Sequence, residues 1–149
     1  MTDSPERCGP GIRGVAMAID AVVWFLLLFV AIYPIAAITG DITTTSEGVD
    51  ASLSGAPGFV ALVLWFALAL GYHTVLEWRH GKTIGKYLVK IRVTGGDGSP
   101  PSLRAAAVRN ALRLVDWLPA FYVVGIVAVF ASDESRRIGD RVADTAVVR

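Results

Sequence analysis

Two charged residues stand out in an otherwise oily segment: Arg13 at its mouth and Asp20 inside it. The run reads RGVAMAIDAVVWFLLLFVAIYPIAAI, from Arg13 to Ile38. A bilayer-spanning helix needs about 20 mostly apolar residues. A carboxylate inside such a helix costs roughly 2.5–3.5 kcal/mol on insertion scales. The chemistry on offer is either a helix-to-helix charge lock or a site for a proton or a monovalent cation. Asp20 lies about 10 Å, two turns, along the helix from Arg13. Arg109 and Arg113 are candidate partners for it, spaced by four on a later amphipathic helix. Burial raises a carboxyl pKa and a neighbouring cation lowers it, so both readings of Asp20 stay open. Arg13 can simply snorkel to headgroups.

Composition points to a membrane protein. The chain has 149 residues, 54% hydrophobic and 18% charged. Its mean hydropathy is +0.55. A soluble domain of that size has too little polar surface to cover such a load. Net charge is +1, which gives no footprint for a nucleic-acid partner. The one cysteine, Cys8, excludes an intrachain disulfide. One domain is the expectation.

The elements follow from hydropathy and turn signals. A first span covers about 14–38, with Pro34 set to kink or end it. It is too long for a signal core, and Asp20 interrupts it. Residues 39–57 read as an acidic loop without Lys or Arg. A second span covers about 59–76. Residues 77–102 form a basic loop, and the positive-inside rule places 77–104 and the amino terminus in the cytoplasm. Within it Val89, Ile91 and Val93 alternate with polar residues, so 88–94 reads as a short strand. Gly95-Gly96-Asp97-Gly98 is a turn, and Ser102 can cap a helix to about Asp116. Residues 103–131 form either a re-entrant helical pair, broken at Pro119, or a kinked third span over 111–131. The hairpin is preferred because it leaves every basic cluster on one side. The tail, 132–149, can then bring Thr145–Val148 beside the 88–94 strand. The fold class is all-α integral membrane, with two transmembrane helices, an amphipathic or re-entrant pair and a small cytoplasmic β element.

Other chemistry is poorly supported. Gly81-Lys82-Thr83 lacks the upstream glycine of a phosphate loop, since Leu76 stands there. Lys82 and Lys86 read instead as basic residues facing anionic lipid. His73 and His80 have no partner at metal-ligand spacing. Glu77 reads as an interfacial carboxylate beside Arg79. Asp116, three residues after Arg113, can form a local salt bridge, or a second ion site if it sits at a hairpin tip. No nucleophile elbow, metal-protease motif or cofactor loop is present, so neither enzyme nor cofactor is expected.

Several segments together resemble the RDD family of small membrane proteins. Arg13 and Asp20 match its Arg and first Asp. The stretch GKTIGKYLVKIRVTGGDGSPPS resembles its Gly-x-x-x-Gly-Lys, strand and turn. LRAAAVRNALRLVDWLP resembles its Arg-Asn helix, and RRIGDRVADTAVV its closing Gly-Asp pattern. The second Asp is best matched by Asp140, with Asp116 as runner-up. The resemblance implies an Arg13–Asp140 pair and, through some members, cation/proton antiport. Two functions remain. One is a cation or proton transport module at the cell membrane using Arg13, Asp20 and Asp140, with two spans calling for a homo-oligomer. The other is a scaffold that binds anionic lipid or a protein partner through its basic cytoplasmic face.

Overall fold

The computed structural model describes residues 8–116 and 138–149. Helix α1 runs Pro10–Thr39 and passes through Pro34 without ending. Helix α2 runs Gly55–His80. Both are long and apolar enough to cross a membrane. Both start earlier and end later than the apolar runs themselves, because helix propensity continues through flanking small and polar residues. Pro10 supplies the first residue of α1, where a missing N–H costs nothing.

The chain divides into two compact units, one of residues 1–20 and 72–149 and one of residues 21–71. In the second unit the apolar stretches of the two helices meet through small residues. Ala31, Ala36, Ala61 and Ala69 are buried, as close helix packing requires. Trp24 and Trp65 meet edge-to-face at 6.1 Å. The Trp65 indole N–H donates to the Trp24 carbonyl at 2.8 Å. Outward, Phe25, Leu26, Phe29, Phe59 and Val63 are exposed, a surface suited to lipid. The segment read as an acidic loop holds a hairpin, β1 (Ile42–Thr45) with β2 (Gly48–Ala51), paired antiparallel. The run Ile42-Thr43-Thr44-Thr45 is β-branched throughout, and that stiffness favours a strand.

The first unit holds the polar machinery. Helix α3 (Ile84–Leu88) follows the end of α2. Strand β3 is Arg92–Gly95, starting later than the alternation implied. Val89 closes α3 and Lys90 sits in the left-handed region at φ 58°, so pairing begins beyond them. Helix α4 is Leu103–Asp116, with the Ser102 hydroxyl accepting from the Ala105 N–H at 3.1 Å. Helix α5 (Ile138–Val142) leads into β4 (Thr145–Val148). Strands β3 and β4 pair antiparallel, Val93 opposite Val147, as the expected meeting of tail and strand required. Cys8, Ala16, Ile91, Val93 and Val147 form the small core beside them. The Cys8 N–H donates to the Val147 carbonyl at 3.0 Å, tying the amino-terminal arm to the tail. The proposed 120–131 half of the helical pair, the third-span alternative and the hairpin tip lie outside the described residues.

Candidate functional site

Asp20 is buried, and its role is set by α3 rather than by an arginine. Three donors converge on its carboxylate. The Tyr72 hydroxyl donates at 2.8 Å, the Thr83 hydroxyl at 2.6 Å and the Gly85 N–H at 2.8 Å. The first turn of a helix leaves N–H groups without intrahelical partners. Here all three of the first helical residues are satisfied by side chains. Ile84 N–H donates to the Tyr72 hydroxyl at 3.0 Å, Gly85 N–H to Asp20, and Lys86 N–H to the Thr83 hydroxyl at 3.4 Å. Asp20 is therefore a cap supplied by one helix to another. Neither Arg109 nor Arg113 stands within ion-pair distance of it.

This explains the spacing in Gly81-Lys82-Thr83-Ile84-Gly85. Gly81 turns the chain at φ +66°, and a Cβ there would sit 2.8 Å from the Val93 carbonyl oxygen. At Gly85 a Cβ would sit 2.1 Å from the Ala16 carbonyl oxygen and 2.9 Å from the Asp20 carboxyl carbon. The glycines let α3 lie against α1, and Thr83 and Asp20 hold it there.

A second set of buried charges lies beside this cap. Arg13 pairs with Asp140, and Arg109 approaches the other oxygen of Asp140 at 3.1 Å. Arg109 Nε also stands 3.4 Å from Glu77. Lys86 pairs with the opposite Glu77 oxygen. Asn110 donates to Glu77 at 3.1 Å and to the Ala106 carbonyl at 2.9 Å. One turn along each helix, Arg113 Nη1 lies 2.9 Å from His73 Nδ1. Arginine has only donors, so His73 Nδ1 accepts and that ring is neutral. Arg109 with Glu77 and Arg113 with His73 form two rungs between α4 and α2.

The structure thus brings Arg13 and Asp140 together and leaves Asp20 in its own hydrogen-bonded group. Two sequence expectations change. Lys86 does not face lipid: it is 5% exposed, drawn inward by Glu77. Lys82 is half-buried, with its ammonium 5.9 Å from the centre of the Tyr87 ring. Glu77 is not an interfacial carboxylate beside Arg79 but a fully buried hub. Its signal was available in the sequence. Glu77 follows His73 by four residues, matching the Arg109–Arg113 spacing on the partner helix. The Asp116 side chain lies outside the described residues.

Burial pulls the Lys86 ammonium down to about 7, with Arg109 and Arg113 adding to the shift and Glu77 opposing it. Burial likewise lowers Arg113, which stays charged at any physiological pH. Asp97 is exposed and lowered by hydrogen bonds from Ser99, a turn effect away from this cluster.

Between these groups lies a small cavity of about 10 Å³. Its charged walls are Arg13, Asp20, Lys86, Arg109 and Arg113, with Ala16 and Met17 completing it. By volume it has room for about one water or an ion of similar size.

The arrangement spans the chain from residue 13 to residue 140, and a family model covers the same stretch. The RDD family model matches residues 7–144. The chain belongs to the RDD family. It is an RDD family membrane protein with two candidate spans, α1 and α2. No curated protein and no solved structure matches the chain. The match includes Arg13, Asp20 and Asp140, the residues on which the resemblance first rested. No group of three or more His, Cys, Asp or Glu side chains is placed to hold a metal among the described residues.

Proposed function

We propose that this RDD protein is a non-enzymatic multi-pass membrane scaffold whose basic polar unit engages anionic lipid headgroups at the cytoplasmic face. One observation carries the reading: the charges exposed on the first unit are mostly basic. Asp20, Glu77 and Asp140 are buried, whereas Arg79, Lys90, Arg92, Arg104, Arg141 and Arg149 are exposed. Burial also takes in Arg13, Lys86, Arg109 and Arg113, while Asp97 and Asp144 stay exposed, so the surface keeps the basic bias of the sequence without adding to it. Each basic residue near an anionic leaflet adds about 1 kcal/mol of attraction. The buried network then serves as the lock that gives this surface a fixed shape.

A cation or proton pathway through Arg13, Asp20 and Asp140 has weaker support. Both oxygens of Asp20 already accept hydrogen bonds, and Asp140 is shared by two arginines. Four cations line the cavity beside them, a poor setting for a metal cation. The test is quenching of the tryptophans by brominated lipids in reconstituted vesicles. Brominated phosphatidylglycerol should compete better than brominated phosphatidylcholine. Replacing Lys90, Arg92 and Arg104 with Gln should remove the preference. Equal competition by the two lipids sinks the reading. So does cation-driven proton flux in proteoliposomes that disappears in Asp20→Asn.

A further inference from the structure

The cavity is walled by side chains that the headgroup reading leaves unused. Arg13, Lys86, Arg109 and Arg113 line it, and all four are buried. Three of these cations have a carboxylate partner: Arg13 and Arg109 meet Asp140, and Arg109 and Lys86 meet Glu77. Arg113 differs. Its hydrogen-bond partner is the neutral His73 ring, and Asp20, the carboxylate lining the cavity, is occupied by three neutral donors. Among the described residues of the cluster there are four cations and three carboxylates. A buried charge paired only with a neutral group is costly, and an anion brought alongside it removes that cost.

We propose that this cavity is a binding site for one small monovalent anion of halide size, held chiefly by Arg113 with Arg13, Arg109 and Lys86 around it. The volume limits the occupant to a single atom: it is about that of one water, so a halide enters only as the flexible ends of Arg113 and Lys86 give way by a fraction of an ångström, and a whole phosphate group is far too large. The charge sets the sign. The α4 spacing that places Arg109 and Arg113 one turn apart points both guanidinium groups at the same space. Asp20 also lines the cavity, and its carboxylate oxygens are taken up by the Tyr72, Thr83 and Gly85 donors.

Protonation of Lys86 belongs to the same equilibrium. The groups facing it are Asp20 and Arg13 on α1, His73 and Glu77 on α2, and Arg109 and Arg113 on α4. Burial, with the surrounding arginines, holds its proton loosely, and an added negative charge tightens it. The anion therefore binds together with a proton at Lys86, and its affinity falls as pH rises through about 7.

The test uses the full chain in nanodiscs of phosphatidylcholine. Chloride is titrated against gluconate at constant ionic strength. Chloride-35 line broadening and tryptophan-detected melting are the two readouts. Saturable broadening displaced by bromide, with a rise in Tm that gluconate does not give, is the expected result. In Arg113→Gln the half-saturating chloride should rise about tenfold or more, the loss of one charge-assisted hydrogen bond. Arg113→Lys should recover part of it. If Arg113→Gln fails to fold, broadening of the unaltered protein that weakens from pH 6 to pH 8.5 carries the test. No displaceable broadening overturns the proposal. Broadening unchanged in Arg113→Gln overturns it too. Stabilisation by phosphatidylglycerol with none by chloride assigns the effect to headgroups and also overturns it. The surface variant at Lys90, Arg92 and Arg104 should keep its chloride response, so failure here is distinct from failure of the headgroup reading.

Discussion

Gly85 shows how one missing methyl group decides where a carboxylate can be used. Its backbone lies so close to α1 that its N–H reaches Asp20 at 2.8 Å. In Gly85→Ala the new Cβ meets the Ala16 carbonyl oxygen, a backbone atom that cannot rotate away. The substitution should destabilise by about 1–3 kcal/mol or more through overpacking and loss of the cap. Gly71→Ala, in the open face of α2, is the control. Nothing lies within 4 Å of its Cβ, so it should be neutral or stabilising by roughly 0.5–1 kcal/mol. Thermal melting in detergent compares the two, and equal Tm values would refute the close-approach account. Lys86 gives a prediction of another kind. Its pKa falls from 10.5 in the open chain to about 7 in the fold. Between those values the unfolded chain holds a proton that the folded chain has released. Stability in chloride-free buffer should therefore rise with pH across that window. Lys86→Met should flatten the rise. A stability that falls from pH 7 to pH 10 in the unaltered protein, and no longer falls in Lys86→Met, contradicts the assignment.

At the scale of elements, Asp140 on α5 holds two helices at once, Arg13 of α1 and Arg109 of α4. The two ends of this bond are therefore unequal. Asp140→Asn takes a carboxylate from two buried arginines, leaving Arg109 with Glu77 alone, whereas Arg13→Gln leaves Asp140 with Arg109. Breaking a buried pair by removing one partner costs about 3–5 kcal/mol. Asp140→Asn should reach that range and Arg13→Gln should cost less, measured as denaturant midpoints in the same detergent. A charge swap of the two should rescue poorly, because an arginine at position 140 then faces Arg109. Equal losses in the single variants, or full rescue by the swap, would show that Arg109 is not part of the lock. Sequence reading reached the elements better than their partners. Apolar length marked α1 and α2, Ser102 marked the start of α4, and alternation marked the strand that meets Thr145–Val148. It missed the β1–β2 hairpin because Ile42-Thr43-Thr44-Thr45 carries its signal in β-branching and not in alternation. It missed Glu77 because a carboxylate near the end of a span looks interfacial when Arg79 is beside it. Burial of Glu77 depends on Lys86, Arg109 and Asn110, which approach from other elements. The pairing with α4 joins residues distant in the chain, and its one trace in the sequence is the shared spacing of four in His73–Glu77 and Arg109–Arg113.

For the whole molecule the charge bias along the chain makes a topological claim. The segment 39–57 holds Asp41, Glu47 and Asp50 without a basic residue, whereas 77–104 holds Arg79, Lys82, Lys86, Lys90, Arg92 and Arg104. Burial of Lys86 and Glu77 takes one charge of each sign from the second segment, so its exposed bias stays positive. Lys and Arg near span ends set orientation, and acidic residues contribute little. The hairpin should therefore face outward and Lys90 inward. Position 47 and position 90 are both exposed, which makes them fair labelling sites. With the buried Cys8 replaced by Ala, single cysteines at Glu47→Cys and Lys90→Cys report the side directly. A membrane-impermeant maleimide on intact cells should label position 47 at once and position 90 only after permeabilisation. Labelling of position 90 in intact cells would invert the topology. It would also remove the anionic inner leaflet as the surface that the exposed arginines meet. The headgroup proposal therefore stands or falls with orientation. The anion site does not, because Arg113 and its cavity neighbours are buried whichever way the helices enter the membrane.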